Sequence, residues 1–254
     1  MFAVLLYHGI EDGQPSARPM DPIDREYVLD RRLFEQHVSY LASKPNAAVP
    51  VVVSFDDGDE SGYTWAAPVL ERHGLHGEFF IVTQWIGRPG FMSVAQLREL
   101  AERGHGVHSH SRTHRRLPDL ALPDIEAELR GSRQDLEDLL GRPVTQFSIP
   151  GGAFDERVIE TAVRAGYSAV LNSIEGYNDE RGNPFVLRRF TPRSYSPVSM
   201  LAGICEHPRY TSLRLAVKHT ALRTARGLLG SAGYERLRGR AVSLRSKKSE
   251  LKKF

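Results

Sequence analysis

The sequence predicts a parallel α/β barrel, and three observations carry that prediction. Short apolar, β-rich runs alternate with helical patterns along most of the chain, which implies parallel strands joined by helical crossovers. Seven such runs occur, and that number suits one barrel better than two small domains. The polar residues suited to chemistry each follow the C-terminal end of a run, where a parallel barrel gathers its active site.

In chain order, the strand runs are 3–7, 51–55, 78–82, 106–109, 145–149, 168–172 and 186–190. Helical patterns lie between them near 31–43, 62–73, 93–103, 123–140 and 155–165. The first run sits in MFAVLLYHGI, which has no basic n-region and no small-residue cleavage site. It therefore reads as a buried strand and not as a signal peptide. The third helix opens on Ser93 with Gln96 at the capping-box position, and Gly104 closes it. Gly141 and Pro143 stop the fourth helix, and Gly166 ends the fifth. From 209 onward leucines sit among Arg and Lys, which reads as two basic helices and a frayed end. The expected organisation is a barrel domain over 1–208 and a basic helical extension over 209–254.

Composition narrows the class. The 254 residues are 41% apolar and 26% charged, a balance that excludes collagen-like, fibrous and wholly disordered chains. No run approaches the ~20 apolar residues needed to cross a bilayer as a helix. A single cysteine, Cys205, excludes an intrachain disulfide framework and fits a reducing compartment, so the expected location is cytoplasmic. The net charge of +3 hides an asymmetry. Residues 213–254 hold 12 Lys and Arg against Glu235 and Glu250, or +10, while the remaining 212 residues carry −7. A basic tail suits nucleic acid, anionic lipid or plain solvation. No groove-reading motif or set of stacking aromatics accompanies it, so no nucleic-acid partner is expected. Peripheral contact with the inner face of a membrane through 213–254 stands as an expectation beside simple solvation.

Four segments carry the chemistry. Ser54-Phe55-Asp56-Asp57-Gly58 follows an apolar run, and two adjacent carboxylates facing a barrel interior need something to offset their repulsion. A metal does so, bound by one carboxylate while the other serves as a base. The bland reading is an Asp-Gly turn. Between Gly104 and His114 lie four of the ten histidines. His110 and His114 stand at i, i+4, so one helical turn would bring both imidazoles to one side, and two His with one carboxylate leave open positions on a metal such as Zn²⁺. His105 is expected at the helix–strand junction, and His108 in the pocket or behind a ligand. The bland reading is a solvated His-rich loop. Phe147-Ser-Ile-Pro150-Gly151-Gly152 ends another strand, where Pro150 fixes the chain and the Gly151 N–H suits a developing oxyanion. Pro-Gly is also an ordinary turn dipeptide. Finally, Tyr7-His8 ends the first strand.

Together these segments resemble the polysaccharide deacetylases, also called NodB-homology domains or carbohydrate esterase family 4. Phe55-Asp56-Asp57-Gly58 resembles that family's first motif, which implies Asp56 as general base and Asp57 as metal ligand. His110-Ser-Arg-Thr-His114 resembles the second, which implies both histidines as the remaining ligands. The resemblance covers roughly residues 2–195. It departs at the third motif, where Ser148-Ile-Pro-Gly-Gly152 lacks the arginine that commonly braces the base and the aromatic ring beside the metal. No D-x-x-D-W segment follows Tyr167, where Asn172-Ser-Ile-Glu-Gly-Tyr177 stands instead, and no apolar strand near the C-terminus ends in a histidine. AVLLYHG at the N-terminus, with Phe34-Glu-Gln-His-Val-Ser-Tyr-Leu41 behind it, resembles the rearranged poly-N-acetylglucosamine deacetylases. That order implies His8 as the general acid.

The resulting expectation is a distorted (β/α)7 barrel that uses one divalent metal, most naturally Zn²⁺, to remove an N-acetyl group from a sugar or glycan. A C–N hydrolase or O-acetyl esterase acting on another substrate is the first rival. A glycan-binding pseudoenzyme, motivated by the missing arginine and aromatic ring, is the second.

Overall fold

The computed structural model describes residues 1–13, 24–218, 220–222 and 224. Its strands are β1 (Ala3–Tyr7), β2 (Ile10–Glu11), β3 (Leu29–Asp30), β4 (Val51–Phe55), β5 (Gly77–Ile81), β6 (Gly106–Ser109), β7 (Gln146–Ser148) and β8 (Ala169–Leu171). Its helices are α1 (Arg31–Ala42), α2 (Ala67–Arg72), α3 (Val94–Glu102), α4 (Leu122–Leu140), α5 (Glu156–Arg164) and α6 (Val198–Glu206), followed by α7 over 208–218. Six strands form one wholly parallel sheet in the order β1-β4-β5-β6-β7-β8.

The expected seventh run, 186–190, is not a regular strand. It nevertheless bridges the two sheet edges, with Leu187 paired to Leu171 of β8 and Phe190 to Leu5 of β1, both parallel. Four backbone hydrogen bonds of 2.8–2.9 Å carry this closure, from Leu187 and Asn172 on one side and Leu6 and Phe190 on the other. Seven staves thus complete a distorted barrel, as the alternation of runs predicts.

Local sequence explains most boundaries. Ser93 and Gln96 form the reciprocal capping box of α3. Gly141 ends α4 in the left-handed conformation at φ 66°. Asp30 and Asp155 cap α1 and α5 by accepting from backbone N–H groups of the first turn. The second helical pattern is split, because Gly62–Ala66 forms a π-helical turn before α2. A Cβ on Gly62 would lie 2.8 Å from the end of the Met92 side chain and 3.1 Å from the Phe79 ring, so glycine lets this turn pack closely. The sequence reading missed the two-residue pair β2–β3, which is too short to show a period. It also missed α6, which has no side-chain cap and is held by burying Leu201, Ile204 and Cys205. The second basic helix expected beyond α7 lies outside the described residues.

The main core fills the space between sheet and helices, where Tyr7, Phe34, Phe55 and Phe79 stack with ring centroids 4.8–5.8 Å apart. Each such buried ring is worth roughly 1.5–3 kcal/mol. Val4, Phe80 and Leu171 form a separate small cluster with Phe2 and Leu187. His37 of α1 ties the layers together. Its Nε2 donates to the Ser196 carbonyl at 3.0 Å, so its Nδ1 must accept from the Tyr7 hydroxyl at 3.1 Å. Burial keeps this ring neutral by lowering its pKa.

Candidate active site

Asp56 and Asp57 leave the end of β4 in different directions. The Asp56 N–H still bonds to the Tyr7 carbonyl at 3.1 Å, which carries the strand one residue further and turns its carboxylate into the barrel. Asp57 then adopts φ 74°, and Gly58 follows at φ 81°. Among the described residues the only non-glycine positions with positive φ are Asp57, Ser111 and His114. Such positions cost of order ~1–3 kcal/mol each and gather where geometry serves a function. Two of the three are expected metal ligands.

Asp56 is almost wholly buried and carries a full set of partners. Arg189 grips it bidentately, Nη1 to Oδ1 and Nη2 to Oδ2, both at 2.8 Å. The Ser148 hydroxyl donates to Oδ2 at 2.9 Å and accepts from Arg189 Nη2 at 2.7 Å. Arg189 Nε donates to the Asn172 carbonyl at 2.9 Å, so the guanidinium is fixed at both ends. Burial alone would raise the Asp56 pKa, but Arg189, His110 and His8 override it and hold the carboxyl below its usual range. The brace that the third motif lacks is therefore present, supplied from the closing stave. The sequence held a signal for it. In Val186-Leu-Arg-Arg-Phe190 a period-2 alternation turns one of two arginines inward, and an arginine buried in a barrel requires a carboxylate.

The histidine pair comes together by a route other than the one expected. Residues 110–114 are not helical; Ser111 and His114 sit at φ 65° and 64°, and the tight turn between them brings the two rings to 5.0 Å. Glu128 of α4 secures that turn. Its buried carboxylate accepts the Arg112 and Thr113 N–H groups at 2.9 Å each, together with the Thr113 hydroxyl. The Ser111 hydroxyl accepts the His114 N–H at 3.1 Å. Glu128→Ala is expected to leave the barrel folded and to weaken divalent-metal affinity by ~10–100-fold, the range typical of groups that orient ligands. Calorimetric titration with Zn²⁺ measures this, and an unchanged Kd would show that the turn holds its shape without Glu128.

Asp57, His110 and His114 each direct a ligand atom to one point, all within 4.8 Å of one another. Asp57 Oδ1 lies 3.5 Å from His110 Nε2 and 3.4 Å from His114 Nε2. His110 Nδ1 donates to the Ser148 carbonyl at 2.8 Å, which leaves Nε2 as the bare nitrogen facing Asp57. Burial opposes charge on this ring, yet Asp56 and Asp57 hold its pKa above the usual imidazole value. A position that draws a positive charge between one carboxylate oxygen and two imidazole nitrogens fits a small divalent cation.

His8, Asp56, Asp57, His110, His114 and Gly151 all line one cavity of about 600 Å³. His8 sits 5.2 Å ring-to-ring from Tyr27, and its Nδ1 is buried without a hydrogen bond among the described residues. Burial lowers its pKa, against the pull of Asp57 and Asp56. Gly151 adopts φ 62°, a conformation that favours glycine, while Pro150 is buried beside it. Trp85, which the sequence reading passed over, stands 5.0 Å from the His114 ring and restores an aromatic wall beside the candidate ligands. His108 does not belong here. Its Nε2 pairs with Glu78 Oε2 at 2.7 Å, and it does not line the cavity, because alternation along β6 separates it from Ser109 while the chain turns at His110. His105 is structural, as its junction position implied. It accepts the Gly77 N–H on Nδ1 and donates from Nε2 to Glu71.

The polysaccharide deacetylase family profile matches residues 43–170. The chain belongs to this family. A curated relative, the peptidoglycan-N-acetylmuramic acid deacetylase PdaA of Bacillus subtilis, is 26% identical over 155 residues, 60% of this chain and 57% of that enzyme. Among solved structures, the Streptococcus pyogenes deacetylase PplD superposes with a TM-score of 0.71 at 18% identity, covering 81% of this chain and 98% of that one. IcaB from Ammonifex degensii superposes at 0.63 with 24% identity, covering 74% and 91%. At these identities the structural likeness shows the fold. This member of the polysaccharide deacetylase family thus keeps the seven-stave barrel while drawing its arginine from the closing stave.

Proposed function

We propose that this chain is a metal-dependent hydrolase that removes an N-acetyl group from a sugar of a glycan or glycan precursor. The observation that carries the reading is the braced Asp56, which shares one cavity with the Asp57–His110–His114 cluster and His8. Family membership and the N-acetylated sugar substrate in the name of PdaA support the same chemistry. A divalent metal, Zn²⁺ being the natural candidate, supplies a Lewis acid that polarises the acetyl carbonyl and acidifies water.

The chain's own residues do the rest. Asp56, ionised and fixed by Arg189 and Ser148, receives the proton of the attacking water. Gly151 lines the cavity, and on this reading its N–H stabilises charge on the acetyl oxygen. His8 delivers a proton to the departing amine, which cannot leave as an anion. Trp85 and Tyr27 offer flat apolar faces against which a sugar ring packs. Arg189 and Trp85 supply from elsewhere both features missing from the third motif, which supports the enzyme reading over the pseudoenzyme. Among the described residues no helix is long and apolar enough to cross a membrane. A cytoplasmic site of action, with peripheral membrane contact through 213–254, belongs to the same proposal.

His8→Ala is the test of the acid. The variant is expected to bind Zn²⁺ as tightly as the parent and to lose amide hydrolysis by ~10²–10⁴-fold. It should spare an acetate ester of a good leaving group, which departs without a proton. Mass spectrometry of acetyl loss from N-acetylated oligosaccharides, beside colorimetric ester hydrolysis, measures both. Equal loss of ester and amide turnover would remove His8 from this role.

A further inference from the structure

We infer that the outward face of α7 is a docking surface for an anionic lipid bilayer. Met1 apart, the large apolar side chains more than half exposed among the described residues are Tyr195, Tyr210, Leu213 and Val217. Three of these four lie on α7, at i, i+3 and i+7, which places them on a single stripe. The opposite side of the helix faces the protein. There Thr211 donates to the Gly203 carbonyl at 2.7 Å, and Leu215 packs on the main core. Helix α7 is therefore seated by one face and presents a second apolar face to the outside.

Cations flank that stripe. Arg209 lies on one side and Arg214 on the other, with the Arg214 guanidinium 5.8 Å from the centre of the Tyr210 ring. Beyond 218 the sequence adds ten Lys and Arg against two Glu. An aqueous partner or a nucleic acid would match the charge and leave the apolar stripe unused. A bilayer uses both, since the interface takes up apolar side chains while its phosphates attract the flanking cations. Position adds a functional consequence. Lys218, paired with Glu175, and Leu222 border the catalytic cavity, so docking through the outer face of α7 holds the cavity within about one helix diameter of the lipid surface. On the deacetylase reading, that favours acetylated sugars that are lipid-linked or lie close to the membrane.

Flotation of the full chain with phosphatidylcholine vesicles, with and without phosphatidylglycerol, tests the docking. Binding is expected to require phosphatidylglycerol and to weaken as salt rises. The double variant Leu213→Gln/Val217→Gln keeps every charge and alters only exposed side chains. It is expected to lower vesicle partition by ~10-fold or more, because interfacial binding scales with buried apolar area. Unchanged partition in this variant would assign any binding to basic charge alone and overturn the proposal. So would equal binding to neutral vesicles, no binding at all, or tighter binding to a random DNA duplex than to the anionic vesicles. Turnover of a soluble acetylated oligosaccharide should be the same in parent and variant. A failure of the catalytic reading would appear there and not in flotation.

Discussion

Replacing Arg189 with methionine is expected to destabilise the chain by about 3–5 kcal/mol, because it leaves the Asp56 carboxylate charged and unpaired inside the barrel. Methionine preserves much of the arginine's length and apolar contact, including its approach to the Phe80 ring, so the effect reports the lost charge more than a void. What disappears is a bidentate pair with both bonds at 2.8 Å, together with the link to Asn172 on the far side. Urea denaturation of parent and variant measures the difference. Its pH dependence has a definite sign. The folded Asp56 pKa is depressed, so the pair's contribution is fully present above the ordinary carboxylate value, 3.8, and is lost as pH falls through the lower folded value. The gap between parent and variant should therefore be wide at neutral pH and close in acid. A change below ~1 kcal/mol at neutral pH would mean that water replaces the guanidinium, and that the closing stave does not depend on this pair.

Asp56→Asn should lower activity by ~10²–10⁴-fold, with Zn²⁺ affinity retained. An amide cannot accept the water's proton, whereas the three converging ligand atoms belong to Asp57, His110 and His114. The structure adds a complication that the motif alone hides. Asparagine removes the counter-charge of a fully buried arginine, so this variant should also be less stable. Assays well below the melting temperature separate the two effects. The double variant Asp56→Asn/Arg189→Met should recover stability without recovering turnover, since it removes both charges together. If Asp56→Asn lost metal as completely as Asp57→Asn, the roles of the two aspartates would be exchanged.

Much of the fold was legible because its signals are local. The capping box at Ser93, the left-handed glycine at 141 and the alternation of apolar runs each depend on a few neighbouring residues. The segments that escaped the reading lack such signals. Strands β2 and β3 have two residues each, and α6 begins at Pro197 with no side-chain cap. The site divides in the same way. Asp56, Asp57, His110 and His114 stood out because adjacent carboxylates and clustered histidines are uncommon enough to need a reason. The i, i+4 spacing of the histidines pointed to two rings that do meet, though by another backbone, since left-handed residues at Ser111 and His114 do the work assigned to a helical turn.

By itself, then, the sequence determined the barrel, the residues that converge on its cavity and their resemblance to the polysaccharide deacetylases. These follow from periodicity, from strand ends meeting on one face and from short motifs. Only the tertiary structure decided that Arg189 braces Asp56 across 133 positions of chain, that Glu128 holds the histidine turn and that Trp85 stands beside His114. It also turned His108 away toward Glu78. The physical reason is common to all four. Each depends on which residue a closing barrel brings opposite another, and that register is fixed by packing of the whole sheet, not by any window of neighbouring residues.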